Sequence, residues 1–161
     1  MKLHLIRHAK TDQMSESGKD FDRKLLPKGI IQANVLGYYL HEQNWSSSIV
    51  FCSTAERTKE TLTVLTNLVF MGKTILSDEL YLCDREMYLK IIWNLRHGKD
   101  LVFIGHNDGI SQIASYLLEK DITLKTSGYM CIEFTAKNWS EVSRGTGHLV
   151  AQFRPEVFLP E

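Results

Sequence analysis

Leu3-His4-Leu5-Ile6-Arg7-His8-Ala9-Lys10-Thr11 opens with four residues that suit a buried β-strand and closes on a cluster of charge. A short apolar run bounded by polar residues predicts a strand covered on both faces, because a half-exposed strand would alternate. At its tip, Arg7 and His8 set a fixed guanidinium beside an imidazole, a pair able to hold an anion and attack it. A strand end with solvated charges would look the same, so the weight falls on what other segments deliver.

Two further stretches repeat the pattern. Ile49-Val50-Phe51-Cys52 reads as a second strand, followed by Ser53-Thr54-Ala55-Glu56 with the S-x-x-E spacing of a helix capping box. Arg57 then falls near a helix N-terminus, where unpaired N–H groups and the positive dipole end favour anions. The helix continues through Leu62, Leu65 and Val69. Leu101-Val102-Phe103-Ile104 is the clearest buried strand and ends in Gly105-His106-Asn107-Asp108-Gly109, whose glycines permit a tight turn and close approach to a ligand. Ile110, Ile113, Ala114, Leu117 and Leu118 carry the next helix.

Between these tips the chain reads as scaffold and loop. Asp12 to Lys24 is too polar for core and predicts a loop over the tips, able to aim Arg23 at the same anion or to pair it with an aspartate. A helix from Gly29 would place Ile31, Val35, Tyr38 and Tyr39 on one face. A weak strand at Thr74–Leu76, a helix with Tyr88, Ile91, Ile92 and Leu95, and strands near Met130–Thr135 and His148–Phe153 complete the chain. Strands alternating with helices predict an α/β class, here one domain over residues 1–161. The expected architecture is a three-layer α/β/α sandwich around a mostly parallel, six-stranded mixed sheet. Ligands of such sheets bind beyond the carboxyl ends of the strands. Arg7, His8, Arg57 and His106 should therefore meet at one edge as a phosphate pocket, with Arg23 a further substrate-binding candidate.

Two arginines can neutralise the equatorial oxygens of a phosphoryl group while an attacking atom approaches in line. A neutral nitrogen of His8 would attack phosphorus, and His106 would donate to a phosphoryl oxygen. Loss of one such donor raises a barrier by on the order of 3 kcal/mol.

Arg7-His8-Ala9-Lys10, Asp22-Arg23 with Gly29 downstream, Ser53-Thr54-Ala55-Glu56-Arg57 with Thr61-Leu62, and Gly105-His106-Asn107 together resemble the histidine phosphatase superfamily. In order and spacing they are similar to its short SixA-like phosphohistidine phosphatases, of phosphoglycerate-mutase-like fold. The resemblance implies that His8 is the nucleophile, that Arg7 and Arg57 hold phosphate and that His106 completes the pocket. Lys24 departs from the proline common in this branch. Where mutases and many ester phosphatases of the fold supply a glutamate acid, this chain has Leu80-Tyr81-Leu82-Cys83, with Glu79 and Asp84 nearby.

The missing acid bears on the substrate. A phosphorylated imidazole can be protonated on its other nitrogen and leave as a neutral ring, whose conjugate acid has a pKa of roughly 6.5; an alkoxide needs more help. The expected substrate is phosphohistidine on a protein surface, such as a histidine phosphotransfer domain. A small-molecule phosphomonoesterase using Glu79 or Asp84 as acid is the alternative, and a non-catalytic phosphate-dependent binding module ranks below both.

Composition narrows the rest. The 19 basic and 19 acidic residues cancel, giving no overall field to recruit nucleic acid or an anionic membrane. Cys52, Cys83 and Cys131 lack the paired spacing of a zinc site and suit reduced thiols. His4 and His8 share the H-x-x-x-H spacing of a zinc helix, but in a strand they stand roughly 13 Å apart. No metal or cofactor is expected, and His4, His41, His97 and His148 read as scaffold. With no apolar run long enough for a membrane span, the expectation is a soluble cytoplasmic protein.

Overall fold

A computed structural model describes residues 1–155; residues 156–161, the end of the expected domain, lie outside the described residues. The chain runs β1 (Lys2–Arg7), α1 (Pro27–Glu42), β2 (Ser46–Ser53), α2 (Glu56–Thr66), β3 (Phe70–Ser77), α3 (Arg85–Asn94), β4 (Leu101–Gly105), α4 (Gly109–Leu118), β5 (Tyr129–Glu133) and β6 (His148–Phe153). Short 3₁₀ turns stand at Asp20–Asp22, Asp78–Leu80 and Trp139–Glu141.

The strands form one mixed sheet in the order β3-β2-β4-β1-β5-β6. β1 to β4 are all parallel to one another, while β5 pairs antiparallel with β1 and with β6. After β1 the chain moves out to β2 and β3, then returns to lay β4 between β2 and β1. Arg7 thereby stands opposite Gly105, and Cys52 opposite Ile104, so the tips of β1, β4 and β2 are neighbours.

The two-residue period of a strand divides the core. Leu3, Leu5, Leu101 and Phe103 face α3 and α4, where Tyr88, Leu89, Ile92, Ile110, Ile113 and Leu117 cover them. Ile6, Val50, Cys52, Val102 and Ile104 turn to the other layer, under Leu36 and Leu40 of α1 and Leu62 and Leu65 of α2. These are the three layers expected. Each fully buried Leu or Phe in them contributes about 1.5–3 kcal/mol.

Helix α1 corrects one expectation. Its buried stripe is Gly29, Gln32, Ala33, Leu36, Gly37 and Leu40, whereas Ile31 and Tyr38 are exposed. Close approach decides this face: a Cβ on Gly29 would collide with the carbonyl of Lys10, so the helix can lie directly against the loop that follows β1. Gln32 Oε1 accepts the Lys10 N–H at 3.0 Å, tying α1 to that loop.

Candidate active site

Arg7, His8, Arg23, Arg57 and His106 line one cavity of about 370 Å³ beyond the carboxyl ends of β1, β2 and β4. His8 and His106 are buried, with ring centroids 5.3 Å apart and planes inclined by 54°. His8 Nδ1 lies 2.8 Å from the carbonyl of Ala9. A carbonyl only accepts, so Nδ1 carries the proton and the lone pair belongs to Nε2. Burial, and after it the positive charges of Arg57, Arg7 and Arg23, lower the pKa of His8 to about 3, against the Ala9 bond, which raises it. The ring is therefore neutral and nucleophilic at physiological pH. His106 is likewise lowered to about 3, by burial first and then by His8 and Arg57.

The guanidiniums are aimed by backbone carbonyls and by Asp20. Arg7 Nη1 donates to the Leu124 carbonyl at 3.0 Å, which also receives Asn107 Nδ2 at 3.1 Å. Ser111 bridges the same structure, donating to Asn107 Oδ1 at 2.6 Å and accepting from the Leu124 N–H at 2.9 Å. Arg57, buried as the second residue of α2, donates through Nη1 to the Asp20 carbonyl at 2.8 Å and through Nη2 to Asp20 Oδ2 at 3.0 Å. Arg23 donates to Asp20 Oδ1 at 3.0 Å and to Thr11 Oγ1. It thus does both things open to it, pairing with an aspartate and lining the cavity.

Asp20 is a site residue that sequence reasoning missed, and Tyr81 is its partner. Its carboxylate joins Arg57 and Arg23 and accepts the Tyr81 hydroxyl at 2.6 Å. Those bonds, the Tyr81 one foremost, hold its pKa below the usual carboxylate value and keep it ionised. Tyr81 also lies edge-on to His106, with centroids 5.6 Å apart, and packs on Phe21 at 5.0 Å. The signal available was Asp20 standing three residues before Arg23; nothing local announces a partner 61 residues away.

The two carboxylates weighed as acids do not line this cavity. Glu79 is exposed and stands 3.6 Å from Lys90, while Asp84 caps α3 by accepting the Met87 N–H at 3.3 Å. The expected capping box is also absent: Ala55 is the N-cap of α2, and Ser53 is turned to His106. A larger open groove of about 800 Å³, along α4 and residues 119–123, is lined by no histidine or cysteine. Among the described residues no group of three or more His, Cys, Asp or Glu could hold a metal ion, and no helix is long and apolar enough to cross a membrane.

A mixed sheet in this strand order with helices on both faces is the phosphoglycerate-mutase-like fold, and the histidines and arginines gather at its carboxyl edge. Residues 3–78 match the model of the histidine phosphatase superfamily, branch 1. That match covers a little under half of the chain, and over its whole length the architecture is SixA-like. It superposes on the putative phosphohistidine phosphatase SixA from Agrobacterium tumefaciens with a TM-score of 0.83 at 20% identity, covering 96% of this chain and 97% of that one. The protein histidine phosphatase SixA complexed with tungstate gives 0.84 at 19% identity over 99% and 100% of the two chains. At these identities the likeness is one of fold. An uncharacterised chloroplastic protein of Arabidopsis thaliana is 28% identical over 151 residues, 87% of this chain and 69% of the relative.

Proposed function

We propose that the protein is a phosphatase that removes a phosphoryl group from phosphohistidine on another protein by way of a phosphorylated His8. The observation that carries this reading is the state of His8: its proton is held on Nδ1 by Ala9, leaving a neutral Nε2 in a cavity with three guanidiniums. Arg7, Arg57 and Arg23 neutralise the phosphoryl oxygens as Nε2 forms its bond to phosphorus. The bond from phosphorus to the substrate's ring nitrogen breaks, and its electron pair stays on that ring, which leaves neutral once its other nitrogen holds a proton. Water then attacks phosphorus, the bond to His8 breaks, and the water's proton goes out with inorganic phosphate.

Support for a nitrogen leaving group comes from the carboxylates. Asp20 lines the cavity but is held ionised by Tyr81 and two arginines, a poor state for a general acid, and Glu79 and Asp84 do not line it. A ring that leaves neutral does not need one. The architecture shared with a protein histidine phosphatase that binds tungstate, a tetrahedral oxyanion, is consistent with phosphate in this cavity.

Turnover of a phosphohistidine-bearing protein, measured beside phosphoserine and aryl phosphate esters, tests the substrate class. A higher kcat/KM on the phosphohistidine protein is expected. Equal or better turnover of the esters would instead assign a phosphomonoesterase, and phosphate binding with no turnover of either would leave a binding module.

A further inference from the structure

Ser53 ends β2, is fully buried, and places Oγ 2.8 Å from Nε2 of His106. Its hydroxyl has two neighbours: the Ala55 N–H donates to Oγ at 3.3 Å, and His106 Nε2 is the other. Hydrogen-bond counting then fixes the direction. A buried hydroxyl hydrogen needs an acceptor, and of these two neighbours only Nε2 has a lone pair to offer. If His106 carried its proton on Nε2 instead, the Ser53 hydrogen would be stranded. Nδ1 is buried with no hydrogen-bond partner in the protein in either tautomer, so the Ser53 hydroxyl alone decides between them.

We infer that Ser53 is a positioning residue that locks His106 in the tautomer with its proton on Nδ1, so that the unpartnered nitrogen of this cavity-lining ring is a ready donor to a phosphoryl oxygen. The inference rests on the proposed phosphate chemistry for its purpose, but the tautomer itself does not. With the proton on Nε2, the unpartnered nitrogen would carry a lone pair and have no hydrogen to give an anion in the cavity. The apparent capping box conceals this role: the serine spacing reads as a helix cap, yet the hydroxyl is spent on a histidine 53 residues away. The same serine is held at both ends, because Thr58 Oγ1 donates to its carbonyl at 2.8 Å.

Long-range ¹H–¹⁵N correlation spectra of the imidazoles of the whole chain near pH 7.5 test the assignment, with the His106 signals identified by their loss in His106→Asn. The wild-type protein should show His106 protonated on Nδ1 and bare on Nε2. Ser53→Ala should mix the tautomers and weaken inorganic phosphate binding about tenfold, while Ser53→Thr, which keeps the hydroxyl, should restore both. A wild-type ring protonated on Nε2, or a Ser53→Ala spectrum identical to wild type in its tautomer, would overturn the inference. A wild-type Nδ1–H tautomer in a protein that does not bind phosphate would sustain the lock and sink the proposed function instead. The wild-type spectrum decides the matter even if neither substitution folds.

Discussion

His4 and His8 lie four residues apart, one within β1 and one just past its end, and both are buried with pKa values pushed well down, to about 4 and about 3. Their surroundings separate them. His4 Nδ1 is met by the Trp45 indole N–H at 3.1 Å and the Tyr129 hydroxyl at 2.9 Å, and its ring packs against both aromatic side chains. His8 is bonded to a backbone carbonyl through Nδ1 and lines a cavity with three arginines. A depressed pKa marks burial in both cases and function in neither. The proposed nucleophile differs in having a lone pair left on a ring that lines a cavity with three guanidiniums.

The comparison can be broken by mutation, and the largest effect is expected at His8. His8→Ala should lower kcat by at least about a thousandfold while leaving the thermal midpoint near wild type, as steady-state turnover and calorimetry would show. Comparable turnover in the variant would make His8 no more catalytic than His4. Arg57→Ala should cost about 10²–10³ in kcat/KM; an effect confined to stability would place Arg57 with the scaffold.

His4 should invert that pattern. His4→Ala should destabilise the fold by about 2–3 kcal/mol through lost packing and an unpaired Tyr129 hydroxyl, with kcat/KM per folded molecule little changed. pH sharpens the same point. Unfolded imidazole takes a proton near pH 6.5, while the folded rings of His4, His8 and His106 take one only near 4, 3 and 3. The unfolded state therefore binds more protons in that window, and stability falls as pH drops from 6.5 toward 3. Each ring contributes roughly 2 kcal/mol of loss between pH 7 and 5. His4→Gln should remove one such share from the pH dependence of urea unfolding; an unchanged slope would mean His4 is not buried neutral. The smallest effect is expected from Tyr81→Phe, which deletes one hydrogen bond to Asp20 and should raise KM by no more than about tenfold.

How much of this was legible in the sequence follows from the range of each interaction. The runs at Leu3–Ile6 and Leu101–Ile104 announced buried strands because both faces of the sheet are covered, and the residues at their tips followed from the rule for parallel sheets. The buried face of α1 did not, since hydrophobicity favours Ile31 and Tyr38 while the packing uses Gly29, Ala33 and Gly37. Gly37 lies so close to Leu68 that a Cβ there would crowd the leucine side chain, a contact no periodicity reports. Asp20, Tyr81 and Ser53 were missed for a related reason. Each acts through a side-chain bond across tens of residues, and Ser53 was masked by a local motif with a simpler meaning.

The most direct trial of the nucleophile is to mix the protein with a phosphohistidine-bearing protein, quench within a turnover, and map the phosphoryl group by mass spectrometry under conditions that preserve phosphorus–nitrogen bonds. The prediction is a phosphoryl group on Nε2 of His8, absent from His8→Ala. Steady release of phosphate by that variant, or a label on another residue in the wild type, would contradict it.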